Sequence, residues 1–197
     1  MINIKTEAHK RFAAIINRYL KYALIALLMA YTGISFAQDE YRTSAGTLII
    51  KVEQDGNPIK VRSKKLLILL DYETGKLVMK QKVSDLTSDN DGIQYWLNNN
   101  GDSEITFEGK LGIDYINTKG HPPLNFPVEG LLSPGESRIM GNGHLVHRVE
   151  KSSASCLLSM TFQLKLDDVF PGLKLQNVNN DIYVQVVQSL LARVNER

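Results

Sequence analysis

Apolar and polar residues alternate along Ser155–Asp168, SCLLSMTFQLKLDD. Cys156, Leu158, Met160, Phe162, Leu164 and Leu166 take every second position, and Leu157 is the only apolar residue between them. A period of two belongs to a strand with one dry face and one wet face. On a helix the same six side chains would spread around the whole circumference. The pattern predicts a long antiparallel strand whose inner face other strands must cover.

The rest of the chain repeats this grammar with shorter words. After a loose leader at Gln38–Gly46, Thr47–Val52 reads as a strand. Asp55-Gly56-Asn57-Pro58 reads as a turn and Ile59–Arg62 as the return strand. Lys64–Asp71 and Lys76–Val83 form the clearest hairpin, joined at Tyr72-Glu73-Thr74-Gly75, with Leu77, Met79 and Val83 on one face. Ser84–Gly101 is rich in Asn, Asp and Ser, and its apolar centre at Ile93–Leu97 predicts one short helix near 90–98. Ser88 or Asp89 would cap it, and Asn98-Asn99-Asn100-Gly101 would end it. Trp96, the single tryptophan, is either a plug on the core or a ligand contact.

Ile105, Phe107 and Leu111 then alternate, with Ile113–Ile116 as a continuation, before His121-Pro122-Pro123 interrupts the ladder. Phe126–Leu132 and Ser137–Val149 follow, separated by Ser133-Pro134-Gly135. Gly141 and Gly143 inside the second of these strands signal a bend, a bulge or a close backbone approach. Beyond the long strand and a Phe170-Pro171-Gly172 break, Asp181–Val194 alternates at Ile182, Val184 and Val186. It then shades into a helix-compatible pattern. Eight to nine strands at this spacing predict an all-β sandwich or barrel.

The N-terminus has a different character. Met1–Lys21 is basic and Tyr22–Phe36 nearly all apolar; Ser35-Phe36-Ala37 then offers small residues at cleavage spacing, before polar Gln38-Asp39-Glu40. This reads as a secretory signal peptide over 1–37 rather than a membrane anchor, because a spanning helix needs about 20 apolar residues. The expected mature chain is a single domain, 38–197, in the periplasm or outside the cell, with no stable membrane insertion. The signal also holds five of the 23 basic residues and one of the 21 acidic ones. The remainder therefore has 18 basic and 20 acidic residues, a net of −2, which gives no electrostatic footprint for nucleic acid.

Candidate chemistry is sparse. His144 and His147 stand three apart, and on a strand that spacing puts them on opposite faces; they read as neutral surface histidines and no metal site is predicted. Cys156 is alone, so there is no internal disulfide, and its place on the apolar face makes it a small buried hydrophobe. No nucleophile elbow, P-loop or dinucleotide fingerprint occurs. The Asp89-Asn90-Asp91 run does not have calcium-loop spacing. No catalytic residue and no cofactor are predicted.

Four segments in order, DYETG (Asp71–Gly75), ITFEGK (Ile105–Lys110), FPVEGLL (Phe126–Leu132) and FQLKLDDV (Phe162–Val169), resemble the bacterial periplasmic YceI-like family. Phe107 and Gly109 match its F-x-G strand, and Gly130 matches the glycine before its central strand pair. The resemblance covers about 66–186. It implies an antiparallel up-and-down, lipocalin-like barrel of about eight strands, in some members holding a polyisoprenoid chain. An eight-stranded barrel is just wide enough to be filled by side chains or to hold one slender ligand. Its lining would come from Leu77, Met79, Phe107, Val128, Ile139, Leu145, Met160, Phe162 and Leu164. Two functions stay open: a binding protein for an isoprenoid or fatty-acid-like molecule, or a secreted, solid-cored module that binds another protein.

Overall fold

The computed structural model describes residues 40–113, 116–117, 121–150 and 153–194, so the signal segment and the chain start expected at Gln38 lie outside the described residues. The strands are β1 (Glu40–Gln54), β2 (Asn57–Asp71), β3 (Lys76–Lys82), the two-residue β4 (Thr87–Ser88), β5 (Glu104–Leu111), β6 (Leu124–Ser133), β7 (Ser137–Glu150), β8 (Ser153–Lys165) and β9 (Asp181–Arg193). Helix α1 (Asp91–Asn99) precedes β5, and the single turn α2 (Leu166–Val169) follows β8. Every strand pairs antiparallel with its neighbours in the order β1-β9-β8-β7-β6-β5-β3-β2, and β1–β2 pairing closes the ring. The result is an eight-stranded up-and-down barrel of the expected lipocalin-like kind, with β4 added beside the lower part of β2.

Turn chemistry sets the registers. Asp55 (φ 51°) and Gly56 (φ 77°) both take the left-handed conformation, as a tight two-residue hairpin requires, and pair Gln54 with Asn57. Asp71 holds the next turn: its Oδ1 accepts from the Glu73 amide at 2.8 Å and its Oδ2 from the Thr74 hydroxyl at 2.7 Å.

The long strand forms with the predicted faces: Cys156, Leu158, Met160, Phe162 and Leu164 are buried, and Thr161, Gln163 and Lys165 are exposed. It ends at Lys165 rather than Asp168. There the Asp168 carboxylate accepts from the Lys165 amide at 3.1 Å and turns the chain into α2, burying Leu166 against the barrel end. Gly141 and Gly143 face inward on β7 because aromatic rings lie over them. A Cβ at Gly141 would meet the Phe162 ring, and one at Gly143 the Phe126 ring. Small residues opposite large ones are how a small barrel fits its taper.

Several boundaries differ from the sequence reading, each for a physical reason. The leader is not loose: β1 begins at Glu40, because Tyr41 is fully buried and stacks on Tyr72 with ring centroids 4.1 Å apart. Ile59–Arg62 and Lys64–Asp71 are one 15-residue strand; Ser63 is buried within it and its hydroxyl accepts from the Lys65 amide. The strand ends at Leu111, and Ile113 and Ile116, the described residues of the expected continuation, lie outside any strand; the Gly112 amide donates to Pro127 O at 2.7 Å. Helix α1 is capped by Asn90, whose side chain accepts from the Ile93 amide at 3.1 Å, rather than by Ser88 or Asp89. The end of β9 looked helical because of a bulge. Gln188 has φ 37° and the β8–β9 register slips between Leu158 and Met160, so the inward set runs Ile182, Val184, Val186, then Ser189 and Leu191.

The two barrel ends are unlike. At the end bearing the β1–β2 turn, α1 buries Ile93 and Leu97, and Trp96 packs edge-to-face on Phe170 at 5.3 Å while its indole N–H donates to Pro171 O at 3.3 Å. Trp96 is thus a plug. The opposite end holds Tyr41, Tyr72, His121, His147 and Cys156.

Candidate functional site

All nine residues selected as barrel lining point inward and are buried. They do not share one space. Met79, Phe107, Ile139, Phe162 and Leu164 line a cavity of about 60 Å³ in the half of the barrel nearer α1, together with residues such as Leu48, Ile50 and Val186. Leu77, Val128, Leu145 and Met160 are fully packed and do not reach it. The rings of Phe107 and Phe162 meet there with centroids 5.5 Å apart.

The polar residue of the cavity was not among those chosen from the sequence. Gln81 is the inward residue of β3 after Leu77 and Met79, and it is only 2% exposed. Its Nε2 donates to the Lys82 carbonyl at 2.8 Å, while its buried Oε1 has no partner. The signal was present, since position 81 continues the 77–79 alternation, but Gln is ordinarily a surface residue.

The wall beside the cavity is open at one seam. The β7–β8 ladder runs from Glu150/Ser153 only as far as Gly141/Phe162. Past that point Arg138, Ile139 and Met140 pair with β6 alone, and Gln163, Leu164 and Lys165 with β9 alone. A surface cleft of about 400 Å³ occupies this gap, and Ile139 and Leu164 line both the cleft and the inner cavity. The Ser137 hydroxyl donates to Asp168 Oδ1 at 2.6 Å across the mouth of the gap, tying β7 to α2.

At the other end, His147 and His144 do face opposite ways. His144 hydrogen-bonds Asn125 on the outside at 2.7 Å. His147 is not the surface histidine expected. It turns in beside Tyr72, with Nδ1 3.4 Å from the Tyr72 hydroxyl, and its ring lies 5.3 Å from that of His121. The spacing argument put the two histidines on opposite faces but could not supply the partners of His147, which come from distant strands and loops. Burial, then the neighbouring His121, lowers the His147 pKa below 6.5. Burial also pushes the Cys156 thiol up to about 12, partly opposed by its hydrogen bond with Tyr72. The Tyr72 hydroxyl is raised well above its ordinary value, chiefly by burial and then by Cys156. At neutral pH the cysteine is a protonated, inert packing residue. Among the described residues no group of three or more His, Cys, Asp or Glu side chains could hold a metal ion, and no helix is long and apolar enough to cross a membrane.

No family model and no curated protein matches the chain. Among solved structures it is similar to a polyisoprenoid binding domain from Saccharophagus degradans implicated in plant cell wall breakdown. The TM-score is 0.59 at 10% identity, over 80% of this chain and 99% of that one. The shared property is the fold, an antiparallel lipocalin-like barrel.

Proposed function

We propose that this protein is a carrier, exported to the periplasm or the exterior, that holds a long apolar molecule inside its barrel without transforming it. The observation that carries the reading is the apolar cavity, separated from the β7–β8 cleft by little more than Ile139 and Leu164. A barrel filled only for stability has no need of a broken ladder beside an internal cavity. The likeness to a polyisoprenoid binding domain supports the same class of ligand. The basic, apolar and small-residue succession at 1–37 supports export, into water where a lipid needs a shield.

The resting cavity sets a condition. Ligand pockets are typically about 300–1,000 Å³, against about 60 Å³ here. A chain can enter only by displacing side chains, with Met79 and Leu164 the adaptable candidates. Each buried methylene contributes ~0.8 kcal/mol, so a dozen give roughly 10 kcal/mol to set against repacking and ordering. Uptake of a fluorescent long-chain probe by the purified mature protein tests this. Saturable binding that a non-fluorescent lipid displaces supports the carrier; no uptake by a folded sample overturns it.

One observation favours a second reading, an interaction module. Leu131 on β6, Met140 on β7, and Tyr183 and Leu190 on β9 are exposed on the outside of the barrel. If the protein takes up no lipid but these side chains become protected in a complex with another protein, the module is the better account.

A further inference from the structure

The cavity is lined by aliphatic, methionine and phenylalanine side chains except at Gln81, and no charged group lines it. The orientation of that amide is fixed by the chain itself. The Lys82 carbonyl can only accept, so the group facing it at 2.8 Å is the NH₂, and the carbonyl oxygen is left over. This Oε1 is buried and has no partner among the described residues. A buried acceptor left unpaired costs free energy, and native structures rarely leave one without a donor. A partner would have to bring an O–H or N–H, be small at that end, and come from beyond the described residues.

We propose that Gln81 selects the ligand: the cavity receives the polar end of a neutral, donor-bearing long-chain molecule, an alcohol or a primary amide, in preference to a hydrocarbon or a carboxylate. This rests on the carrier reading and deepens it. A hydroxymethyl end suits the size of the cavity, whereas a second polar branch would fall on apolar walls. A carboxylate is disfavoured twice. It is ionised at neutral pH and the lining holds no cation to pair with it, and its oxygens would face the Gln81 carbonyl as acceptor against acceptor. A hydrocarbon gains burial but leaves Oε1 as it was. The remaining chain runs out past Ile139 and Leu164, the two side chains shared with the cleft.

The test uses the full mature chain loaded with a fluorescent apolar dye and displaced by dodecan-1-ol, dodecane and dodecanoate, which share one chain length. The expected order is alcohol, then alkane, then carboxylate, with about 10-fold between the first two, the scale of one net hydrogen bond. Gln81→Leu should abolish the preference for the alcohol over the alkane. Gln81→Met offers the same readout in a more adaptable side chain, and Glu108→Gln, on the exposed face of β5, should retain the preference. Equal displacement by alcohol and alkane in the wild type, or a preference that survives in a folded Gln81→Leu or Gln81→Met protein, overturns the assignment and leaves the carrier standing. The first of these results is what a resident water on Oε1 would give. Failure of all three compounds, and of the dye itself, overturns the carrier and the assignment together.

Discussion

Phe162→Ala tests the barrel interior most sharply, because Phe162 serves three contacts at once. Its side chain is 4% exposed, its ring leans on Phe107 at 5.5 Å, and it covers inward-facing Gly141 while lining the cavity. Truncation removes on the order of 100 Å³ of side chain. At ~24 cal/mol per Å³ of residual cavity this costs about 2.4 kcal/mol, and lost transfer free energy adds about 2 kcal/mol. Gly141 cannot grow into the space, and the closed ring of strands resists collapse, so a total of about 4 kcal/mol is expected. Urea unfolding followed by circular dichroism measures it, with Gln163→Ala as the control. Gln163 is exposed on the other face of the same strand, and its change should stay below about 0.5 kcal/mol. Added to the existing space of about 60 Å³, the new cavity approaches the roughly 150 Å³ that admits benzene. A folded variant should therefore bind benzene where the wild type does not. Similar losses for Phe162→Ala and Gln163→Ala, or a loss under 1.5 kcal/mol with no benzene binding, would refute the one-faced strand and its role beside the cavity.

Three further outcomes follow from other parts of the structure. Gly143→Ala drives a methyl group into the Phe126 ring and should destabilise by about 1–3 kcal/mol, with Phe126→Leu in the same chain restoring part of the loss in denaturant midpoint. Asn90→Ala removes the α1 cap and should cost about 1 kcal/mol, read in the same way. The lowered pKa of His147 means the unfolded chain takes up its proton first. Its contribution to stability is complete above about pH 6.5 and is lost as pH falls through the folded value; unfolding midpoints from pH 7.5 to 5 should show a fall that His147→Gln reduces.

The barrel was legible because a one-sided sheet writes itself as alternation. Cys156 to Leu164 needed no partner strand to be read, and Asp55-Gly56 and Gly75 declared their turns by chemistry that glycine or a tight left-handed turn makes specific. What the sequence left unread depends on contacts across the ring. Tyr41 looked like part of a loose leader because its partner Tyr72 is 31 positions away, and the Gln188 bulge disguised the second half of β9 as a helix. The candidate site divides in the same way. Inwardness of the nine lining residues follows from local pattern. Which five border the cavity depends on where α1 and α2 close the end and where the β7–β8 ladder stops. Cys156 was read as buried, but Gln81 and the contacts of His147 with Tyr72 were missed, because polar side chains are read as surface unless the partner that buries them is in view.

The central claim, a barrel that carries a long apolar ligand, is tested most directly by what the protein holds when it leaves its own host. The mature protein, purified without detergent, should be extracted with organic solvent and the extract analysed by mass spectrometry beside a Phe162→Lys control purified the same way. The account predicts one dominant long-chain lipid at near-stoichiometric amount with the wild type, reduced or absent with a control that remains folded. A folded wild-type protein that yields no extractable lipid, and yields none after incubation with its host's membranes, would contradict it.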